Sequence, residues 1–133
     1  MAGCFNLADA SYWDEQQWGS RRWMECTAER SLGHVLGIEV KLHADAGHAF
    51  HFHPRQDELI FVLDGKVEQW IEQEMKVLGP GDAVLIKENT IHASFAYAGK
   101  PARLLAILGP RIGESGYELE EVYDQEPWRS IRS

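Results

Sequence analysis

The stretch HFHPRQDE spans residues 51–58 and places His51 and His53 two apart, with Asp57 and Glu58 just beyond them. On an extended strand, residues two apart point to one face, about 7 Å apart along the chain. Two imidazoles so placed lean toward a shared ion, and imidazole nitrogen suits zinc, iron, nickel, cobalt and copper. Alone the pair is a weak signal, because two solvated surface histidines have the same spacing. Glu58 strengthens it. PRQD lies between His53 and Glu58 and reads as a turn, with Pro54 ending one strand and the next starting near Asp57. A reversal there lays Glu58 beside the histidines. A carboxylate pointing inward from a run as apolar as residues 59–63 must be paired or bound to metal, whereas one at the strand mouth is simply solvated. Glu58 shares its face with Ile60 and Val62, which can form a dry wall. His92 follows AVLIK and the corner ENT, and Ser94 and Ala96 on its face are small enough to leave room. Taken singly, His92 reads as a hydrogen-bonded core or rim histidine. Together the four make a His3Glu set, which leaves one or two positions on a five- or six-coordinate ion for water or substrate.

The elements that must position these residues have a period of two. Residues 34–43 alternate, with Leu36, Ile38, Val40 and Leu42 on one side and Glu39, Lys41 and an exposed His43 on the other. Further strands are expected over 22–28, 49–53, 57–65, 66–72, 75–78, 83–87, 91–97 and 102–108, separated by Gly-, Pro- and Asp-containing turns. Phe50 and Phe52 oppose the histidine pair and read as sheet-packing residues. Many short strands and no long helical period point to an antiparallel sandwich or barrel. Residues 1–20 read as an irregular arm, whose Trp13 and Trp18 want cover on the domain or across a subunit boundary. In the acidic tail, YELEEVYDQE has the composition for a short helix or a final strand.

Composition excludes several roles. A chain of 133 residues, 44% of them hydrophobic, is one folded domain with a core of its own. The formal net charge is −8 and no basic block exceeds Arg21-Arg22, so nucleic acid is not an expected partner. No apolar run approaches the ~18 residues of a membrane span. The start, MAGCFNLADASYWDE, lacks the basic head and apolar core of a secretory signal. Cys4 and Cys26 are not closely spaced and read as two reduced thiols in a cytoplasmic protein. GPGD at 79–82 is a turn without the Lys-Ser/Thr of a phosphate loop, and there is no Ser/His/Asp signature.

The arrangement resembles the cupin superfamily, in its small single-domain form, the type-2 conserved barrel. The first motif of that family is matched by His51-x-His53, then Glu58, then Gly65 at the next turn. The second is matched by the Gly81-Asp82 turn, the buried strand after it and His92. Lys87 and Asn89 stand where the family has Pro and Gly, and Asn tolerates the left-handed backbone that such a corner needs. The resemblance implies an all-β, cupin-type double-stranded β-helix, a jelly-roll barrel. It implies an arm and first strand over 1–33, the barrel over 34–108 and an acidic tail over 109–133 packed on or near the barrel. It also implies one divalent transition metal ion (Fe, Mn, Ni, Zn, Co or Cu) on His51, His53, Glu58 and His92. The function that follows is a metal-dependent enzyme of the dioxygenase, decarboxylase or isomerase class acting on a small organic ligand. The alternatives are a non-catalytic binding or sensing module and a storage barrel. Trp13, Trp18 and the pairing habits of small cupins make a homodimer the expected assembly. His34, His43 and His48 are outside the ligand set, though loop geometry could bring His48 near the rim, and Asp57 is expected to cap the turn or meet solvent. Val67, Gln69 and Ile71 are pocket candidates, while Tyr97 and Arg103 read first as surface residues that could reach a pocket mouth.

Overall fold

The computed structural model describes residues 2–27 and 31–132. Among these residues the regular structure is all strand: β1 (Trp13–Gln16), β2 (Gly19–Met24), β3 (Leu36–Leu42), β4 (Gly47–Phe52), β5 (Asp57–Asp64), β6 (Val67–Ile71), β7 (Glu74–Leu78), β8 (Ala83–Ile86), β9 (His92–Ala96), β10 (Ala102–Gly109) and β11 (Glu120–Glu121). They form two antiparallel sheets, one in the order β1-β2-β3-β10-β5-β8 and the other β11-β4-β9-β6-β7. From β3 to β6 the chain changes sheet at every step, and it does so again from β7 to β10. This is the jelly-roll barrel, the double-stranded β-helix.

Rows of side chains run across the larger sheet, because residues paired on neighbouring strands share a face. Val40, Leu104 and Val62 make one row, and Ile38, Ala106, Ile60 and Val84 the next. The third row is Leu36, Leu108, Glu58 and Ile86. The period-two pattern thus becomes a buried inner face, and it carries Glu58 inward with the leucines. A second apolar cluster lies behind the smaller sheet. Phe50, Trp70, Ala93 and Phe95 pack there with Val122, under Trp128 and Ile131 of the tail. The tail contributes β11, which pairs with β4, and turns rather than a helix.

Other expectations are corrected. The arm is not wholly irregular, since β1 pairs with β2. The strand expected over 22–28 ends at Met24, and residue 28 lies outside the described residues. Cys4 and Cys26 are not reduced thiols; they form a disulfide with a Cα–Cα distance of 6.6 Å. Spacing could not show this, because the fold of the arm back over β2 brings them together. The bond removes the thiol argument for a cytoplasmic location. Glu39 is buried despite lying on the charged side of β3, where it accepts from Arg22 Nε and Nη2 at 3.0 and 2.8 Å beneath the arm. Lys41 and His43 on that side are exposed, as expected. The tryptophans find cover within the chain. Trp13 faces the Lys41 ammonium at 4.2 Å, and Trp18 packs on the core and stacks on His48. No helix in the described residues is long and apolar enough to cross a membrane.

Candidate metal centre

β4 and β9 lie side by side, with His51 directly opposite His92. His53 follows the end of β4. Glu58 comes from β5 in the facing sheet, returned toward the histidines by the Pro54-Arg55 turn. A second corner holds the first: Asn89 N–H donates to the His53 carbonyl at 2.8 Å, and Glu88 N–H to the Asp57 carboxylate at 2.9 Å. Asp57 therefore caps the corner. Asn89 sits at φ 66°, the left-handed conformation that its place in the turn called for. Gly47, at the start of β4, is required by close approach. A Cβ there would meet the Ser94 oxygen at 2.2 Å and the Phe95 Cα at 2.5 Å.

His51, His53, Glu58 and His92 are all buried, and one ligand atom from each lies within 4.8 Å of the others. Each imidazole is oriented from behind. Nδ1 of His51 lies 2.7 Å from the Ala49 oxygen, that of His53 2.8 Å from the Glu118 oxygen, and that of His92 2.9 Å from the Thr90 oxygen. A carbonyl only accepts, so each Nδ1 carries its hydrogen and each Nε2 presents a lone pair inward. Glu58 Oε1 stands 2.8 Å from His92 Nε2 and 3.2 Å from His53 Nε2. These three atoms are buried and lack a well-directed hydrogen bond. Where neutral imidazoles and a carboxylate converge, buried polar atoms go unsatisfied at a cost of about 1–3 kcal/mol each. A cation removes that conflict, so the residues fit a metal ion.

The electrostatics agree. Burial acts to raise the Glu58 carboxyl, but His53 and His92 beside it outweigh burial and hold it far below the usual carboxylate range. Burial pushes His51 well down, reinforced by His48 and His92, so it stays neutral. Burial also acts to lower His92, and contact with Glu58 more than reverses this. In the ion-free cluster a proton on His92 thus partners the ionised Glu58, and a bound cation would take the place of that proton on the Nε2 lone pair.

The cavity in front of the cluster is small, about 40 Å3. Of its aromatic and charged lining residues, Trp18, Arg21 and Tyr117 were not pocket candidates, and His48 was expected no nearer than the rim. His48 lies three residues before His51 and should face away, but a register irregularity between them turns it back. It stacks on the His51 ring at 3.7 Å. A bulge of this kind leaves no mark on residue spacing. Arg21 and Tyr117 come from distant segments and carry no local signal. Of the pocket candidates, Gln69 and Ile71 line a separate hollow of about 190 Å3, and Tyr97 and Arg103 do not line the cavity. His34 and His43 are exposed.

The barrel, with three histidines and a glutamate gathered inside it, defines a double-stranded β-helix able to hold a metal. Residues 38–108 match the family model of the cupin domain. The chain belongs to the cupin domain family. A search of curated protein sequences finds no match. Among solved structures, the chain is similar to KdgF from Halomonas sp., with a TM-score of 0.74 and 23% identity over 86% of this chain and 99% of that one. It is similar to the DMSP lyase DddQ from Ruegeria pomeroyi DSS-3, with a TM-score of 0.71 and 21% identity over 88% of this chain and 64% of that one. It is also similar to oxalate decarboxylase from Bacillus subtilis, with a TM-score of 0.72 and 16% identity over 87% of this chain and 31% of that one.

Proposed function

We propose that the protein binds one divalent transition metal ion through His51, His53, Glu58 and His92, and uses it as a metal-dependent enzyme on a small organic substrate. The observation that carries this reading is the convergence of buried acceptor atoms, with each imidazole's other nitrogen tied to a backbone carbonyl. A bound ion would act as a Lewis acid toward a substrate oxygen, with its remaining positions open. The chain's own residues do the rest. The carbonyls of Ala49, Thr90 and Glu118 fix the imidazole tautomers. Ile38, Ile60 and Leu104 keep the inner wall dry. Glu58 is ionised and serves as a ligand rather than a proton donor. Two solved structures similar in fold are, by name, a lyase and a decarboxylase, which supports carbon-bond cleavage as readily as a dioxygenase reaction.

The test is metal stoichiometry after dialysis, in the parent protein and in His51→Ala, His92→Ala and His43→Ala. The parent and His43→Ala should retain close to one ion per chain, and the two site variants should lose most of it while staying folded. Equal retention in all four would place the metal elsewhere.

The proposal extends to a homodimer, on different grounds from those the tryptophans offered. The outer face of β10-β5-β8 presents Leu59, Phe61, Leu85 and Ile107, with Leu85 73% and Ile107 36% exposed. A contiguous apolar sheet face of this kind is the surface a second copy would cover.

A further inference from the structure

Arg21 is the only lysine or arginine lining the cavity among the described residues, and it comes from β2, outside the segment that matches the cupin domain. Its side chain is well enclosed. Nη2 holds Asp14 Oδ2 at 2.6 Å, but Nε is buried with no hydrogen-bond partner. The guanidinium carbon lies 5.1 Å from the Trp23 ring centre and 5.9 Å from those of Trp18 and Tyr117. Aromatic walls fix the plane of the group and keep water from its edge. The result is a rigid fork of donors, held in place and incompletely used.

The charges in the cavity point to what would use it. With a divalent ion on the four ligands, Glu58 offsets one of its charges and Asp14 offsets Arg21, so one positive charge stays unbalanced in an enclosed site. A guanidinium matches a carboxylate in planarity and in the spacing of its donors. The size also fits. A cavity of about 40 Å3 admits a group of a few atoms and excludes a large ligand body. Trp18 and His48, stacked at 5.2 Å, separate it from a surface groove of about 410 Å3 that includes Gln16, Gln17 and Tyr123.

We infer that the ligand of this site is a small organic acid, whose carboxylate is held by the Arg21 guanidinium beside the metal-ligand cluster while its body lies toward the Trp18–His48 wall. The charge argument rests on the metal reading above; the contact itself rests on the placement of Arg21. The competing account makes Arg21 a strut that only ties β2 to Asp14 of β1.

Calorimetric titration of formate, acetate and butyrate into cobalt-loaded and metal-free protein separates the two, with formamide, acetamide and butyramide as uncharged controls. Carboxylates should bind and the amides should not. Arg21→Gln should weaken carboxylate binding at least tenfold and Arg21→Lys by less, with circular dichroism and cobalt stoichiometry unchanged. Asp14→Asn, which frees Arg21 from its pair, should bind carboxylate as tightly as the parent or more tightly. Amides binding as well as carboxylates, or Arg21→Gln binding carboxylate like the parent, would overturn the inference. So would Asp14→Asn weakening binding as much as Arg21→Gln, which is the behaviour of a strut. Should Arg21→Gln fail to fold, Arg21→Lys decides: severalfold weaker binding supports the contact, and unchanged binding removes it. Cobalt uptake is read independently. Arg21-dependent carboxylate binding in a chain that takes up no cobalt would keep this inference and discard the metal centre.

Discussion

Gln56 shows how much of the centre depends on residues that never touch the ligand set's open side. Its side chain is almost wholly buried, at 1% exposure. Its Nε2 donates to the carbonyls of Pro110 and Gly116, both at 2.8 Å, and its Oε1 accepts from Glu118 N–H at 3.0 Å. The carbonyl of that same Glu118 receives the His53 Nδ1 hydrogen. One amide therefore secures the loop that orients one imidazole. Gln56→Ala strands three backbone groups, that of Gly116 buried, and loosens His53. The expected outcome is a loss of about 2–4 kcal/mol of stability and a fall in metal affinity of about tenfold. Chemical denaturation and a competitive metal titration measure the two effects. A normal affinity with the expected loss of stability would show that His53 is held by other means.

At the scale of elements, the tail is fastened to the smaller sheet by the β11–β4 pairing, by apolar contact and by an ion pair. Trp128 and Ile131 cover Phe50 and its neighbours. Arg132 lies 3.5 Å from the Phe95 ring centre, and its Nε donates to Glu68 Oε2 at 2.6 Å. That bond to Arg132 outweighs partial burial and holds the Glu68 carboxyl below its ordinary value of 4.5. The sign follows. A carboxylate depressed on folding contributes stability above its unfolded value, and that contribution is lost as pH falls through the lower folded value. Glu68→Gln should therefore lower the stability at pH 7 by less than about 1 kcal/mol for a pair near solvent, with a small fall in melting temperature. The gap from the parent should close as pH falls below 4.5. Melting curves at pH 7 and pH 3.5 compare the two proteins, and a gap that persists at the lower pH would mean that the pair is not its source.

For the whole molecule, the two sheets differ in what covers them. The tail shields the back of the smaller sheet and the arm lies over Arg22 and Glu39, but among the described residues the outer face of β10-β5-β8 has no such cover. Sedimentation equilibrium of the parent should report a dimer of the 15.1 kDa chain. Leu85→Lys at the centre of the exposed face should shift it toward monomer without loss of folding, because Leu85 is largely in solvent in the single chain. A parent that stays monomeric at high concentration would leave the apolar face without this role.

Alternation is a local property of an extended chain, since the covalent geometry of a strand sends successive side chains to opposite faces. That is why nine of the eleven strands, the inward face of β3, the shared face of His51 and His53, and the company Glu58 keeps with Ile60 and Val62 were legible from residue order. Asn89 was legible for a similar reason, because a left-handed corner selects few residue types. Distance along the chain hid the rest. The bulge that turns His48 onto His51 depends on how β4 registers with β9. The burial of Glu39 depends on Arg22 and the arm above it, and the Cys4–Cys26 bond depends on the path of that arm. Arg21 and Tyr117 are about a hundred residues apart and meet only because β2 and the loop after β10 close on the same end of the barrel. Residue types and period determined the strands and the four polar residues that face one another. Strand register and loop closure, set by long-range packing, decided what else stands around them.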